Sequence, residues 1–227
     1  MPDTVGLFNR VAGRYDALNT FFSLGMDSRW RRRLSEEIRG SVRVLDVATG
    51  TAEVAVETVR NLVGSSVVGA DPSAGMLGLA RTKIASNGLS SRISLVQCSA
   101  ENLPFRDASF DAATIAFGIR NTVDPLNSLY EMKRVLRPGG KAGIMEFAIP
   151  ENKIFAPLYL FYFKNILPLV GSLFGTGSEY KYLSESTSAF PQRGSFVSLM
   201  EKAGFKTAKT IELMMGIVVI YVGIKNS

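Results

Sequence analysis

The chain has 227 residues, 46% hydrophobic and 20% charged, with 26 Lys and Arg against 20 Asp and Glu, for a net charge of +6 and a pI near 9.5. A chain this long buries enough surface to fold without disulfides, and its single cysteine, Cys98, excludes an internal bridge and suits a reducing compartment. The absence of histidine and of a cysteine pair argues against zinc, so no metal is expected, and any proton transfer must use a group other than imidazole.

The first stretch, MPDTVGLFNRVAGRYD, lacks the apolar centre of a signal peptide and already carries Asp3, Arg10, Arg14 and Asp16, so a cytoplasmic protein is expected. The positive charge favours an acidic partner, nucleic acid or an anionic membrane surface, and charge alone does not separate them. In SRWRRR, Arg29, Arg31, Arg32 and Arg33 stand together. They read either as a lipid-seeking cluster or as a solvated helix face balanced by Glu36 and Glu37, and the second reading is preferred.

A short apolar strand is predicted at Val42–Val47, followed by a helix over Ala52–Leu62. SSVVGAD forms a second strand ending in Asp71, and PSAGMLGLARTKIA has helical spacing. RISLVQC is a third strand, and SFDAATIAFG a fourth, after the turn-like ENLPFRDA. Pro125–Leu136 reads as an amphipathic helix stopped by Pro138-Gly139-Gly140, with KAGIMEF as a fifth strand. This alternation predicts an α/β fold whose parallel sheet is covered by helices on both faces. GFKTAKTIELMMGIVVIYVGIK then supplies two strands joined at Gly216, so the sheet closes with an antiparallel hairpin.

Between strand five and the hairpin lies an apolar, aromatic insertion, about residues 150–194, with the core IFAPLYLFYFKNILPLVGSLFG. Its length approaches the ~20 residues of a membrane span. Lys164 near its middle, with Pro157 and Pro168, argues against one. The simpler reading is a pair of helices packed on the domain core; the functional reading is that part of it forms a greasy cleft and a membrane-facing surface.

VLDVATGTAEVAVE, Val44–Glu57, carries the chemistry: a strand ending in Asp46, a turn through Thr49-Gly50-Thr51, then a helix. The third glycine of a dinucleotide loop is missing, Glu53 would repel a phosphate at the helix N-terminus, and no Lys-Ser/Thr pair makes a P-loop. Asp71, at the end of strand two, is placed to accept hydrogen bonds from ribose hydroxyls. A nucleoside with a sulfonium and an amino acid in place of phosphates, S-adenosylmethionine, fits this loop.

The chain resembles class I S-adenosylmethionine-dependent methyltransferases, and within them the demethylmenaquinone/ubiquinone C-methyltransferase family. The resemblance spans nearly the whole chain through FNRVAGRYDALNTFFSLGMDSRWRR, VLDVATGTAEVA, DPSAGML, AENLPF, IAFGIRNTVD, EMKRVLRPGGKAGIMEF, YFKNILPLVG, YLSESTSAFP and GIVVIYVGIK. FGIRN and YLSES…FP are the narrowest of these. The resemblance implies a Rossmann-like fold, a mostly parallel seven-stranded sheet ending in an antiparallel hairpin. It implies one methyltransferase domain over 1–227, with an N-terminal helical lid at about 1–41. The expected activity is C-methylation of a reduced polyprenyl quinol, demethylmenaquinol before a ubiquinone-pathway benzoquinol, since Ala52-Glu53 resembles the menaquinone branch. A peripheral membrane contact at the inner face, a homodimer or a quinone-synthesis complex belong to the same expectation.

Carried over onto this sequence, Gly50 and Thr51 face the methionyl part of the cofactor, and Asp46 anchors the loop or the cofactor's amino group. Asp71 holds the ribose, Met76 flanks the adenine, and Ser99 with Ala100 lines its edge. Arg120 stabilises the quinolate while Asn121 orients it, or else Arg120 pairs with Asp124 or Glu146 to pin the loop; Glu146 becomes a candidate base if burial raises its pKa. Tyr15, Asp16 and Asn19 belong to the lid. Two positions depart from the family pattern: Ser99 stands for the usual Asp or Asn, and Tyr221 for the usual His. The rival readings are a non-catalytic cofactor-binding scaffold and a methyltransferase for another acceptor. RNA is disfavoured, because no RNA-binding module is recognisable.

Overall fold

The computed structural model describes residues 23, 25–166, 169 and 177–226. In chain order the strands are β1 (Arg43–Val47), β2 (Ser66–Asp71), β3 (Ile93–Gln97), β4 (Phe110–Ala116), β5 (Leu136–Phe147), β6 (Phe205–Leu213) and β7 (Val218–Lys225). They form one sheet in the order β3-β2-β1-β4-β5-β7-β6. The first five are mutually parallel, and β7 runs antiparallel to both β5 and β6. The helices are α1 (Asp27–Glu37), α2 (Glu53–Asn61), α3 (Ala74–Ser86), α4 (Pro125–Val135), α5 (Phe155–Phe161), α6 (Gly177–Ala189) and α7 (Gly194–Lys202). A π-helical turn, Tyr162–Ile166, continues α5.

Both faces of β1, β2 and β4 are largely dry, which is why they read as continuous apolar runs rather than alternating ones, whereas the edge strand β3 is partly exposed. Leu45 and Val47 join Ala113, Ile115 and Ile144 beneath α4 and α7, whose Leu129, Met132, Phe196 and Met200 are fully buried. Val44 points the other way, into the layer built by Ala55, Val59, Ala80 and Ile84 of α2 and α3. Trp30 and Leu34 of α1 cover the β5–β7 end with Met145 and Ile220. Helix starts follow local chemistry: Ser73 caps α3 by accepting from Met76 N at 3.1 Å, and Asp124 caps α4 ahead of Pro125 by accepting from Asn127 N at 3.0 Å.

One boundary differs from the sequence expectation. β5 already starts at Leu136, and Pro138-Gly139-Gly140 forms an irregularity within it, where the register with β4 passes from Phe110↔Leu136 to Ala112↔Lys141. Gly140 allows this because a Cβ there would stand 2.8 Å from the Arg137 carbonyl oxygen. Among the described residues no helix is long and apolar enough to cross a membrane. The arginines of α1 are balanced as a helix face: Arg33 pairs with Glu37, Arg32 lies 3.6 Å from Glu36, and Arg31 is buried against Asp27 at 2.5 Å.

Tyr221 is a buried part of the scaffold. Its ring packs against Phe196 and its Oη accepts from Arg193 N at 2.8 Å, tying β7 to the start of α7. The position where the family resemblance implies histidine therefore serves packing in this chain.

Candidate active site

The sheet order reverses between β1 and β4, and the carboxyl ends of the strands flanking that point open a cleft of about 180 Å³. One wall is the loop after β1. Ala48, Gly50 and Ala52 all lie in the left-handed region, at φ 50°, 55° and 67°, which folds the chain back on itself before α2. Ala52 is the last of the three and leads directly into α2. A left-handed alanine costs roughly 1–2 kcal/mol, and here its methyl is fully buried between α2 and α3, which offsets part of that strain.

The two strand-end carboxylates do different things. Asp46 is turned into the sheet and is 1% exposed. It accepts from Thr49 Oγ1 at 2.6 Å and from Thr114 Oγ1 of β4 at 2.8 Å, so it anchors the loop to two strands and is not in the cleft wall. Burial pushes its pKa up to about 6, against the pull of both hydroxyls. The folded value stands above the ordinary 3.8, so the stabilising contribution is whole below that pH and lost as pH rises towards 6. Asp46→Asn is expected to remove up to about 3 kcal/mol of pH dependence across that window, measured by urea unfolding at several pH values.

Asp71 faces the cleft. Its Oδ2 accepts from Gly50 N and its Oδ1 from Ser73 N, both at 2.8 Å. Burial raises its pKa, and the two backbone donors work against that rise. Each oxygen keeps a further lone pair for a ligand hydroxyl. Pro72, Ser73, Met76, Ser99 and Ala100 continue this wall, with Met76 and Ala100 buried, and Glu101 closes it. Glu101 accepts from Val123 N at 2.7 Å and so ties the loop after β3 to the opposite side. Arg134 of the RVLRPGG motif holds the same loop from beneath, donating to the Leu103 and Phe105 carbonyls at 2.9 and 2.8 Å.

Thr51 is buried, its hydroxyl accepting from Lys83 Nζ at 3.2 Å, and it does not line the cleft. Lys83 also pairs with Glu53. Among the described residues no Lys or Arg lines the cleft. A cleft-facing carboxylate, an apolar slot and no cation among the described residues fit S-adenosylmethionine.

The far wall is Ala116, Phe117, Gly118, Asn121, Thr122 and Val123. Phe117 is itself left-handed, at φ 55°, and its ring stacks on Phe147 at 4.4 Å. Its carbonyl accepts from Arg120 Nη1 at 2.9 Å and from Asn121 Nδ2 at 3.2 Å, which holds the strained residue in place. Gly118 keeps the cleft open, since a Cβ there would meet Ala48 Cβ at 2.6 Å. Gly118→Ala is therefore expected to lower cofactor affinity at least about tenfold, read by calorimetry with S-adenosylhomocysteine.

Arg120 does not line the cleft. It lies behind Phe117 in a buried ion pair with Glu146, the two side chains being 6% and 2% exposed. Glu146 also accepts from Phe147 N at 2.9 Å. Burial pushes the Glu146 pKa up while the Arg120 guanidinium draws it down. Arg120 Nε and Glu146 Oε2 are buried without a hydrogen-bond partner among the described residues. Of the two pairings open at the level of sequence, the one with Glu146 forms, while Asp124 caps α4. Asn121 does line the cleft, and Tyr182 Oη of α6 donates to its Oδ1 at 3.0 Å. Tyr15, Asp16 and Asn19 lie outside the described residues.

Glu101, Phe117, Lys83 and Tyr182 carry no individual expectation at the level of sequence, although Glu101, Phe117 and Tyr182 stand within AENLPF, FGIRN and YLSES, which is the signal that could have found them.

Comparison with known proteins is decisive. The profile of the ubiE/COQ5 methyltransferase family matches residues 3–225. The chain belongs to this family. A ubiquinone/menaquinone biosynthesis C-methyltransferase from Geobacter sp. (strain M21) is 46% identical over 222 residues, covering 96% of this chain and 94% of that protein. A demethylmenaquinone methyltransferase from Thermus thermophilus is 41% identical over 220 residues, covering 96% of this chain and 99% of that one. The methyltransferase also shares its fold with a SAM-dependent methyltransferase structure from Thermotoga maritima, at TM-score 0.68 and 19% identity over 97% of this chain and 99% of the other. A second such structure, from Aquifex aeolicus, gives TM-score 0.60 at 18% identity, over 81% and 82% of the two chains. Family membership favours an enzyme over the scaffold reading.

Proposed function

We propose that this methyltransferase transfers a methyl group from S-adenosylmethionine to a ring carbon of a reduced polyprenyl quinol, demethylmenaquinol in preference to a benzoquinol. The observation that carries the reading is Asn121 in the wall opposite Asp71, with Tyr182 hydrogen-bonded to it and the buried Arg120–Glu146 pair behind Phe117, in a chain of this family. S-adenosylmethionine supplies an already activated methyl on a sulfonium. What remains for the chain is to hold an electron-rich carbon in line, at roughly 3–3.5 Å.

Asp71 and the Gly50 turn position the cofactor, and the apolar lining excludes water. Ionising a ring hydroxyl enriches the ring carbon, but such a group has a pKa of about 10 with tyrosine as the guide. Arg120, always protonated and fixed behind Phe117, presents a positive end to that side of the cleft and favours the quinolate. Asn121 orients the ring. The ring carbon takes the methyl, and its hydrogen leaves as a proton when aromaticity returns.

The insertion supports a lipid substrate. Tyr159 and Phe163 are buried against Phe155, Leu183 and Ile217, whereas Ile154, Leu158 and Phe161 are 88%, 66% and 59% exposed. Such an apolar face next to the site suits contact with a membrane from which the tail enters. Leu158→Glu with Phe161→Glu is expected to abolish co-flotation with anionic vesicles while cofactor affinity stays unchanged.

The direct test is incubation with methyl-deuterated S-adenosylmethionine and a reduced mixture of short-tail demethylmenaquinol and its benzoquinol analogue. Label on the naphthoquinol ring carbon, found by mass spectrometry, is the expected result. Label on the benzoquinol alone would reassign the branch, and label on neither would overturn the quinol reading.

A further inference from the structure

Tyr182 is not itself in the cleft lining but is hydrogen-bonded to it, between the apolar insertion and the wall residue Asn121. Its neighbour on α6, Leu183, packs on the Tyr159–Phe163 cluster, while its own hydroxyl reaches the wall of the cleft at Asn121. The hydrogen bonds there have a fixed direction. Asn121 Nδ2 donates to the Phe117 carbonyl at 3.2 Å, and a carbonyl can only accept, so the amide has one orientation and its Oδ1 faces Tyr182. That oxygen also only accepts, so the single hydroxyl proton of Tyr182 is committed to it at 3.0 Å. The half-buried Oη keeps lone pairs and has no proton to give.

We propose that Tyr182, set by Asn121, is a specificity-determining residue that reads the redox state of the acceptor. Its Oη accepts a hydrogen bond from the hydroxyl of a quinol and can donate none to the carbonyl of a quinone. The inference rests on the quinol reading above and deepens it. Burial raises the pKa of Tyr182 against the pull of Arg120, so at neutral pH it is a phenol with this fixed donor pattern. The discrimination matters chemically. Only the reduced ring has a nucleophilic carbon, and a quinone in the same place would occupy the site without reacting. The same contact helps the reaction, because accepting the ring proton partway draws the hydroxyl towards the phenolate.

The test uses the full-length protein saturated with S-adenosylhomocysteine. Affinities are measured anaerobically for short-tail demethylmenaquinol and for its oxidised form. The wild type is expected to favour the quinol by about tenfold or more, the effect of one hydrogen bond gained against one carbonyl left unpaired. Tyr182→Phe is expected to bring the ratio within about threefold, with S-adenosylhomocysteine affinity unchanged. Asn121→Leu frees the Tyr182 proton, so it is expected to bind the quinone more tightly than the wild type does. A merely structural role for Tyr182 predicts no such gain. Equal wild-type affinity for the two rings, or an unchanged ratio in Tyr182→Phe, would overturn the inference and leave the quinol reading standing. A wild type that binds neither ring would overturn both.

Discussion

Asp71→Ala is expected to lose about 100-fold or more in affinity for S-adenosylhomocysteine, because hydrogen bonds to a carboxylate contribute about 1.5–3 kcal/mol each and a ribose offers two. The side chain has a second duty, which sharpens the prediction. Its two oxygens already accept from Gly50 and Ser73, so the substitution also releases the turn after β1 and the start of α3. Unfolding free energy should fall by about 1–3 kcal/mol as those donors lose their acceptor. Asp71→Asn keeps one acceptor oxygen and is expected to fall between wild type and alanine in both measurements. Calorimetry and urea unfolding on the same preparations separate the two duties. Unchanged affinity in Asp71→Ala would remove Asp71 from the cofactor site.

Arg120→Ala is expected to destabilise the fold by about 3–5 kcal/mol near neutral pH, since it strands a carboxylate that is 2% exposed without its counter-charge. The cost should shrink as the medium is acidified. Burial already raises the Glu146 pKa, and removing Arg120 takes away the group that holds it down. The folded value then lies further above the unfolded one, so stability is lost as pH rises through the folded value and recovered below it. Replacing both partners, Arg120→Met with Glu146→Leu, is expected to restore most of the stability, because an apolar pair of similar volume leaves no buried charge. Turnover should not return with it. If the guanidinium stabilises a developing quinolate, the refolded double variant stays at least about 100-fold below wild type. A double variant that is both stable and active would reduce Arg120 to a pin for the Phe117 turn.

Some of this was visible in the residues alone. Apolar runs ending in Asp46 and Asp71 announced two strands that deliver acids to one end of a parallel sheet. Glu53, with no lysine after the turn, told against a phosphate ligand, and among the described residues no cation lines the cleft. Ser73 and Asp124-Pro125 marked helix starts because capping is a local matter of a few residues. The hairpin at Gly216 was legible for the same reason, and β6 and β7 do pair across it.

Tertiary structure decided which carboxylate does what. Asp46 and Asp71 lie at the carboxyl ends of neighbouring strands, and for Asp46 the sequence leaves loop anchor and cofactor ligand both open. Asp46 finds Thr114, 68 residues away on β4, and is drawn into the sheet, whereas Asp71 meets backbone donors at the lip of the cleft. Arg120 was equally open towards substrate or towards an anchor until β4 and β5 lay side by side, which brings Glu146 to it from 26 residues away. Tyr182 reaches Asn121 across 61 residues, through a helix whose placement depends on aromatic packing rather than on any local pattern. The sequence by itself thus determined the order of elements and the kind of ligand the loop can hold, because propensity, capping and charge act over a few residues. Partner choice among buried polar groups was decided only by the fold, because a buried charge takes whichever donor or counter-charge the register of the sheet sets beside it.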